Sequence, residues 1–187
     1  MTRWQPDAQG RLLQAAIELF SEQGYDATTV AEIAERAGLT KRTFFRHFSD
    51  KREVLFGGGG AFEEMWVQAV RDAPAQASPL EAALAGTAGV AEFFAERFGS
   101  ARLRSRIIEV NPELRERELI KLQHLAEVTA QALVQRGVAA GPARLSAQTA
   151  VTVFQTGWAR WVLQDDPDAL AGFMAEALAE LRALTAA

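Results

Sequence analysis

An all-α chain is what this sequence predicts, and three observations predict it. Apolar residues recur at three- and four-residue intervals, as in Val30, Ile33, Ala34 and Ala37, the pattern of a helix that buries one face. Ala, Leu, Glu and Arg dominate, Pro numbers only 6 in 187 residues and β-branched runs are missing, so local preference favours helix over strand. Start and stop signals punctuate the apolar stripes. Together they predict about nine helices: an N-terminal three-helix helix-turn-helix domain over residues 1–50 and a C-terminal helical domain over 51–187, with a helix over 51–72 as the connector.

Residues 1–7 read as a short arm, in which Arg3 is solvated rather than a groove contact, and Asp7 is a candidate cap for a first helix from Ala8 to Gln23. Leu13, Ala16, Ile17 and Phe20 form its inner stripe, and Gly24 ends it. Thr29 followed by Glu32 is a capping box, where hydroxyl and carboxylate each satisfy an amide at a helix start. Gly38 follows the last turn of that second helix, where a left-handed residue is cheapest without a Cβ. A third helix starts from about Thr40 and buries Phe44 and Phe48. Two short helices joined by a Gly-containing turn match the helix-turn-helix unit, whose second helix enters the major groove. Lys41, Arg42, Thr43, Phe45, Arg46 and His47 face outward, and a face meant only for solvent has little use for Phe45.

Ser49 or Asp50 caps the fourth helix. Lys51 then sits in a first turn, where a cation is unfavourable unless an external anion or a neighbouring Glu53 or Asp50 offsets it. The run Gly57-Gly58-Gly59-Gly60 costs roughly 1 kcal/mol per residue in a helix relative to Ala, so it implies either a break or a distorted helix that permits close packing. Ser78, Pro79 and Glu81 start a helix that runs to about Phe98, and a short one over 101–110 stops at Asn111-Pro112. The next runs from Pro112 to about Arg136 before Gly137. The last two span roughly Ala143 or Ser146 to Gln164, and Pro167 to Leu184. Val151, Phe154, Trp158, Trp161 and Val162 on one, with Leu170, Phe173, Met174, Leu178 and Leu181 on the other, offer more apolar surface than one core needs, which points to a partner copy.

Composition excludes several functions. No stretch of about 18 uncharged apolar residues is present to span a bilayer, and the N-terminal residues form no long apolar run, so a cytoplasmic protein with no membrane role is expected. With zero Cys there are no disulfides or thiolate metal sites. His47 and His124 are the 2 histidines, far apart and without metal-ligand spacing, and no phosphate-cradling loop or cofactor motif occurs. The expectation is no enzyme, no metal and no cofactor. The net charge of −4 argues superficially against nucleic acid, but residues 1–56 hold eight Lys/Arg against eight Asp/Glu, leaving twelve against sixteen beyond them. The segment Thr40–Phe48 carries three cations and no acid, and phosphate affinity follows the local face.

The segment Ala15 to Leu55, AAIELFSEQGYDATTVAEIAERAGLTKRTFFRHFSDKREVL, resembles the N-terminal DNA-binding domain of the TetR family of transcriptional regulators. Phe20 and Gly24, Thr29, Ile33-Ala34, Gly38-Leu39-Thr40-Lys41, Thr43, Phe44, Phe45, Phe48, Lys51 and Glu53 carry the likeness. The resemblance implies a repressor that binds double-stranded DNA as a homodimer through its last two helices and releases a near-palindromic operator when a small apolar effector binds the C-terminal domain. It implies phosphate contacts at Thr29 and Lys51, with Thr43 and His47 alongside; Lys41 and Arg42 stand where base edges are read. Phe45 replaces a Tyr usual in the family, which removes a hydroxyl contact. Trp66, Phe93, Phe94, Phe98, Phe154 and Trp158 are candidate pocket walls and His124 a polar contact, with ordinary core as the competing reading. The Arg102, Arg104, Arg106, Arg115 and Arg117 cluster suits either an anionic effector or a solvated face balanced by neighbouring Glu. The alternative function is a helical ligand-binding or protein-interaction module that no longer reads DNA.

Overall fold

Capping side chains set the start of three helices of this chain, at Thr29, Thr40 and Ser78. The structure is a computed structural model that describes residues 8–57 and 59–186; the arm with Arg3 and Asp7, and Gly58, lie outside the described residues. Among the described residues there are nine α-helices and no strand: α1 Ala8–Gln23, α2 Val30–Arg36, α3 Lys41–His47, α4 Gly59–Asp72, α5 Pro79–Ala95, α6 Phe98–Val110, α7 Pro112–Gln135, α8 Ala140–Trp161 and α9 Leu170–Thr185. Short 3-10 helices at Arg52–Phe56 and Pro167–Ala169 precede α4 and α9. No described helix is long and apolar enough to cross a membrane.

The expected capping box forms at Thr29–Glu32, and Ser78, the expected cap of another helix, makes a second box with Glu81. Several boundaries differ from expectation, each for a local reason. The helix expected over 51–72 is two pieces, because the Asp50 Oδ1 accepts the amides of Arg52 at 2.8 Å and Glu53 at 3.1 Å and winds that stretch into a 3-10 turn. Of Ser49 and Asp50, Asp50 is therefore the cap. Helix α8 starts at Ala140, before either expected start, since Pro142 in a first turn loses no hydrogen bond there. It stops at Trp161, whose indole N–H turns back to the carbonyls of Asp166 and Pro167 at 3.1 Å each.

Contacts divide the chain into two units: the residues up to Gly60 together with Gly99–Glu118, and Ala61–Phe98 together with the residues from Leu119 on. The first unit has a core of Leu12, Ala16, Ile17, Ile33, Phe44 and Phe48 to which Val54, Leu55 and Phe56 add, and Ile107, Ile108 and Leu114 close it from α6 and α7. Two members of the arginine cluster are used inside this unit, while Arg106 and Arg115 are exposed. Arg104 donates to the Leu55 carbonyl at 2.8 Å, lies 4.9 Å over the Phe56 ring and pairs with Glu118 at 3.2 Å, while Arg117 pairs with Glu53. These two are ties within the fold and present no free cationic patch.

In the second unit α5, α8 and α9 pack together. Much of the apolar surface expected to exceed one core is buried within the single chain: Val151, Phe154 and Trp161 from α8, Leu170 and Met174 from α9. What the last helices and their connection leave open is Leu145, Leu163 and Leu184, at 68%, 76% and 85% exposure. The end of α4 is held by Arg136, which follows α7 and donates to the carbonyls of Arg71 at 2.7 Å, Ala73 at 2.8 Å and Pro74 at 2.8 Å. A guanidinium at a helix C-terminus satisfies carbonyls that lack an intrahelical partner and opposes the helix dipole favourably. Replacing Arg136 with Met keeps the apolar stem and removes the fork; it is expected to lower stability by about 1–3 kcal/mol. A urea midpoint equal to that of the parent chain would refute this role.

Candidate nucleic-acid interface

The interface is built from the turn between α2 and α3 outward. Thr29 accepts the Glu32 amide at 3.2 Å while its own amide and hydroxyl each donate to Glu32 Oε2 at 2.7 Å. The Thr29 hydroxyl, then its amide, hold the Glu32 carboxyl below its ordinary 4.5. At the other end Gly38 takes φ +65°, its amide donates to Glu35 O at 2.9 Å, and Leu39 N reaches Ala34 O at 2.8 Å. This Schellman-type closure needs a residue without a Cβ penalty. Thr40 then caps α3, accepting the Thr43 amide at 3.1 Å, with the two Thr hydroxyls 3.0 Å apart.

Phe44 is fully buried and Phe48 nearly so, their ring centroids 5.4 Å apart. The opposite side of α3 presents Lys41, Arg42, Phe45, Arg46 and His47 as exposed residues, with Thr43 half-buried. Phe45 is 50% exposed and stands edge-on to Phe44 at 5.5 Å, 80° between planes. Lys41 Nζ lies 5.9 Å from its centroid, and Arg46 reaches His47 Nε2 at 3.5 Å. Among the described residues none of Lys41, Arg42 and Arg46 has a carboxylate partner, whereas Arg36 pairs with Glu22 at 2.9 Å and Arg52 with Asp50 at 3.0 Å. Glu22 and Asp50 are thus matched by other arginines, and the α3 face keeps its positive charge.

Six of the eight residues expected at DNA thus share one helix. The other two lie apart. Thr29 is exposed at the start of α2, with its hydroxyl engaged as both donor and acceptor. Lys51 turns inward: its Nζ donates to Tyr25 O at 2.7 Å and Thr28 O at 3.0 Å, with Asp26 O at 3.5 Å. Sequence reasoning passed over Tyr25 as its partner, since carbonyl acceptors leave no mark in side-chain identity. It also left open which glycine of the 57–60 run is needed. A Cβ at Gly57 would overlap the Phe48 ring, while one at Gly60 meets nothing within 4 Å.

The candidate pocket residues lie in the second unit. Trp66 and Phe154 are 5.8 Å apart, Phe154 and Trp158 5.7 Å, Phe94 and Trp158 4.6 Å, and Phe93 and Phe94 5.0 Å. Phe98 stacks on Trp161 at 4.9 Å. Phe62, absent from the expected set, sits at the centre, 5.7 Å from both Phe94 and Phe154. The Trp66 indole N–H is buried without a hydrogen-bond partner among the described residues. His124 belongs to none of these ring contacts; it is exposed and its Nε2 lies 3.4 Å from Glu63. Among the described residues no group of three or more His, Asp or Glu is arranged to hold a metal ion.

Residues 12–56 match the family model described as bacterial regulatory proteins, tetR family. The chain is 44% identical over 72 residues, 38% of its length, to the HTH-type transcriptional regulator TcmR of Streptomyces glaucescens, of which it covers 32%. It is 46% identical over 48 residues, 26% of its length, to the HTH-type transcriptional activator FasR of Mycolicibacterium smegmatis, of which it covers 22%. The match thus spans about a third or less of these relatives. Solved structures are similar over far more: the TetR family transcriptional regulator PfmR from Thermus thermophilus at 27% identity and TM-score 0.50, covering 92% of this chain and 97% of that one. The SmeT–triclosan complex shares the fold at 18% identity and TM-score 0.63, covering 92% and 90%.

Gly57→Ala is expected to displace Phe48 and lower stability by about 1–3 kcal/mol through overpacking. Gly60→Ala, in open space on a helix, is expected to be neutral or to gain about 0.5–1 kcal/mol. Thermal denaturation of the two variants side by side checks this, and equal midpoints would remove Gly57 from its role as the seat of Phe48.

Proposed function

We propose that this chain, whose residues 12–56 match the tetR family of bacterial regulatory proteins, is a homodimeric DNA-binding transcriptional repressor of that family that leaves a near-palindromic operator when a small, mostly apolar ligand binds. The single observation that carries the reading is the outer face of α3, where three cations stand without carboxylate partners around an exposed Phe45. In this reading Arg42 reads a guanine edge through its two-pronged fork and Lys41 a neighbouring base. Thr29, Thr43, His47 and Arg46 hold phosphates, and Phe45 packs against the DNA without the hydroxyl a Tyr would supply.

Two copies of α3 about 34 Å apart would address successive major grooves on one side of the duplex. Exposed Leu145, Leu163 and Leu184 support a second copy packing on the last helices. The functional division keeps DNA reading in residues 1–50 and ligand binding and dimerisation in 51–187, with 51–72 as connector. The cluster around Phe62, Trp66, Phe94, Phe154 and Trp158 supports an apolar effector, and the partnerless Trp66 N–H supports one that carries an acceptor. The fold neighbour SmeT is bound by triclosan. A ligand that prefers the state unfit for DNA shifts the population away from the operator.

Fluorescence anisotropy with a duplex from the DNA next to the protein's own coding sequence tests the proposal. Binding is expected to weaken steeply with salt, and Arg42→Ala is expected to relax base preference at one position per half-site by about 1–3 kcal/mol. Binding that is blind to sequence and flat in salt would overturn it.

A further inference from the structure

The position before the connector's 3-10 turn carries a cation that the family resemblance assigns to a phosphate, yet its surroundings describe another task. We infer that Lys51 is a positioning residue for DNA binding: it fastens the loop between α1 and α2, and so sets where α2 stands beside α3, without neutralising a phosphate itself. This rests on the reading that the chain binds DNA.

An ammonium has three N–H donors and no acceptor. Those of Lys51 meet Tyr25 O at 2.7 Å and Thr28 O at 3.0 Å, with Asp26 O at 3.5 Å, and the charge lies 4.1 Å over the Tyr25 ring. Carbonyl oxygens and a π face thus stand in for its hydration shell. The ring is itself fixed. Tyr25 is buried edge-on to Phe20 at 5.1 Å, and burial, then the Glu113 charge, pushes its hydroxyl up to about 12, so it stays a neutral phenol. Two of the three donors are held within 3.0 Å, and a phosphate would have to compete with Asp26 O for the third.

The acceptors belong to a loop with a defined exit. Thr28 is 1% exposed; its amide donates to Tyr25 O at 3.3 Å and its hydroxyl to Gly24 O at 2.8 Å. Gln23 donates to that hydroxyl at 3.3 Å. The next residue is Thr29, the cap of α2. On its other side Lys51 adjoins the 3-10 helix Arg52–Phe56, anchored by Asp50 and by the Glu53–Arg117 pair. One side chain therefore joins the first residue of the connector to the loop that ends one residue before the cap of α2.

Charge count and geometry are separable by salt. Each phosphate contact adds about 0.9 to the slope of log affinity against log salt. With anisotropy on the same upstream duplex, well below each variant's unfolding midpoint, Arg46→Gln is expected to reduce the slope by about 0.9 per subunit. Lys51→Gln is expected to weaken binding about tenfold with the slope unchanged. Lys51→Arg keeps the charge but offers a planar fork where the carbonyls converge on a point, so binding is expected to stay weak; a phosphate ligand would be rescued by Arg. Amide exchange at Thr28 is expected to quicken in both Lys51 variants while Phe44 in α3 stays protected. A slope loss in Lys51→Gln like that of Arg46→Gln, or full rescue by Lys51→Arg, overturns the inference; if Lys51→Gln does not fold, Lys51→Arg decides alone. Absence of salt-dependent binding by the parent chain would instead sink the DNA reading, and this inference with it.

Discussion

Two phenylalanines four residues apart decide what the third helix shows to the outside. Phe44 within a seven-residue helix and Phe48 at its C-cap are both buried, and that helix is too short to be stable by its own hydrogen bonds. Burial of each aromatic ring is worth on the order of 2–3 kcal/mol, which outweighs any preference of the exposed side chains. With the rings inward, the 3.6-residue period leaves Arg42 and Arg46 outward with Phe45 at their flank, as a consequence and not as a separate design, while Lys41 is exposed because it opens the first turn. A shift of register by one residue would bury a cation and expose a ring, so the cationic face and the core stand or fall together.

The charge balance follows the same logic. A chain with net charge −4 can approach a polyanion only where its acids are matched or distant. Around α1 and α2 several are tied: Arg36 draws Glu18 and Glu22, and Glu32 is turned onto the cap of its own helix. Asp50 is held by Arg52 and by two backbone amides; burial raises its carboxyl, and the Arg52 guanidinium and those amides more than reverse this. These exposed pairs add little to stability individually. Their effect is on the local potential, because each tied carboxylate is one that does not face α3.

Elements whose signals are local were legible in the sequence. The Thr29–Glu32 box, the Gly38 stop and the Thr40 start depend on residues within three or four positions of each other, and they appear where the sequence puts them. Features that need a partner distant in sequence were not. Ile107, Ile108 and Leu114 look like any apolar stripe until the fold brings them to the core of the first unit. Arg104 and Arg117 read as a charged surface because their partners, Leu55 O and Glu53, lie some fifty to sixty positions away. In the candidate pocket the large aromatics were visible as types, but Phe62 as their hub and the exclusion of His124 required coordinates.

The glycine run shows how a costly sequence feature finds its reason in one position. Four glycines together oppose helix by roughly 1 kcal/mol each, and at Gly60, with nothing near it, no contact offsets that cost. Gly57 differs, because the Phe48 ring occupies the space a Cβ would take. Phe48 is also the residue that ends α3, in extended backbone at φ −134° and ψ 136°, its amide still bonded to Phe44 O at 2.9 Å. The same ring therefore terminates the helix that carries the exposed cations and rests on the backbone of the segment leading to α4. Close-packed contacts of this kind do not stretch. A displacement of that backbone by a fraction of an ångström must either move the ring, and with it the end of α3, or open a gap at the edge of the core.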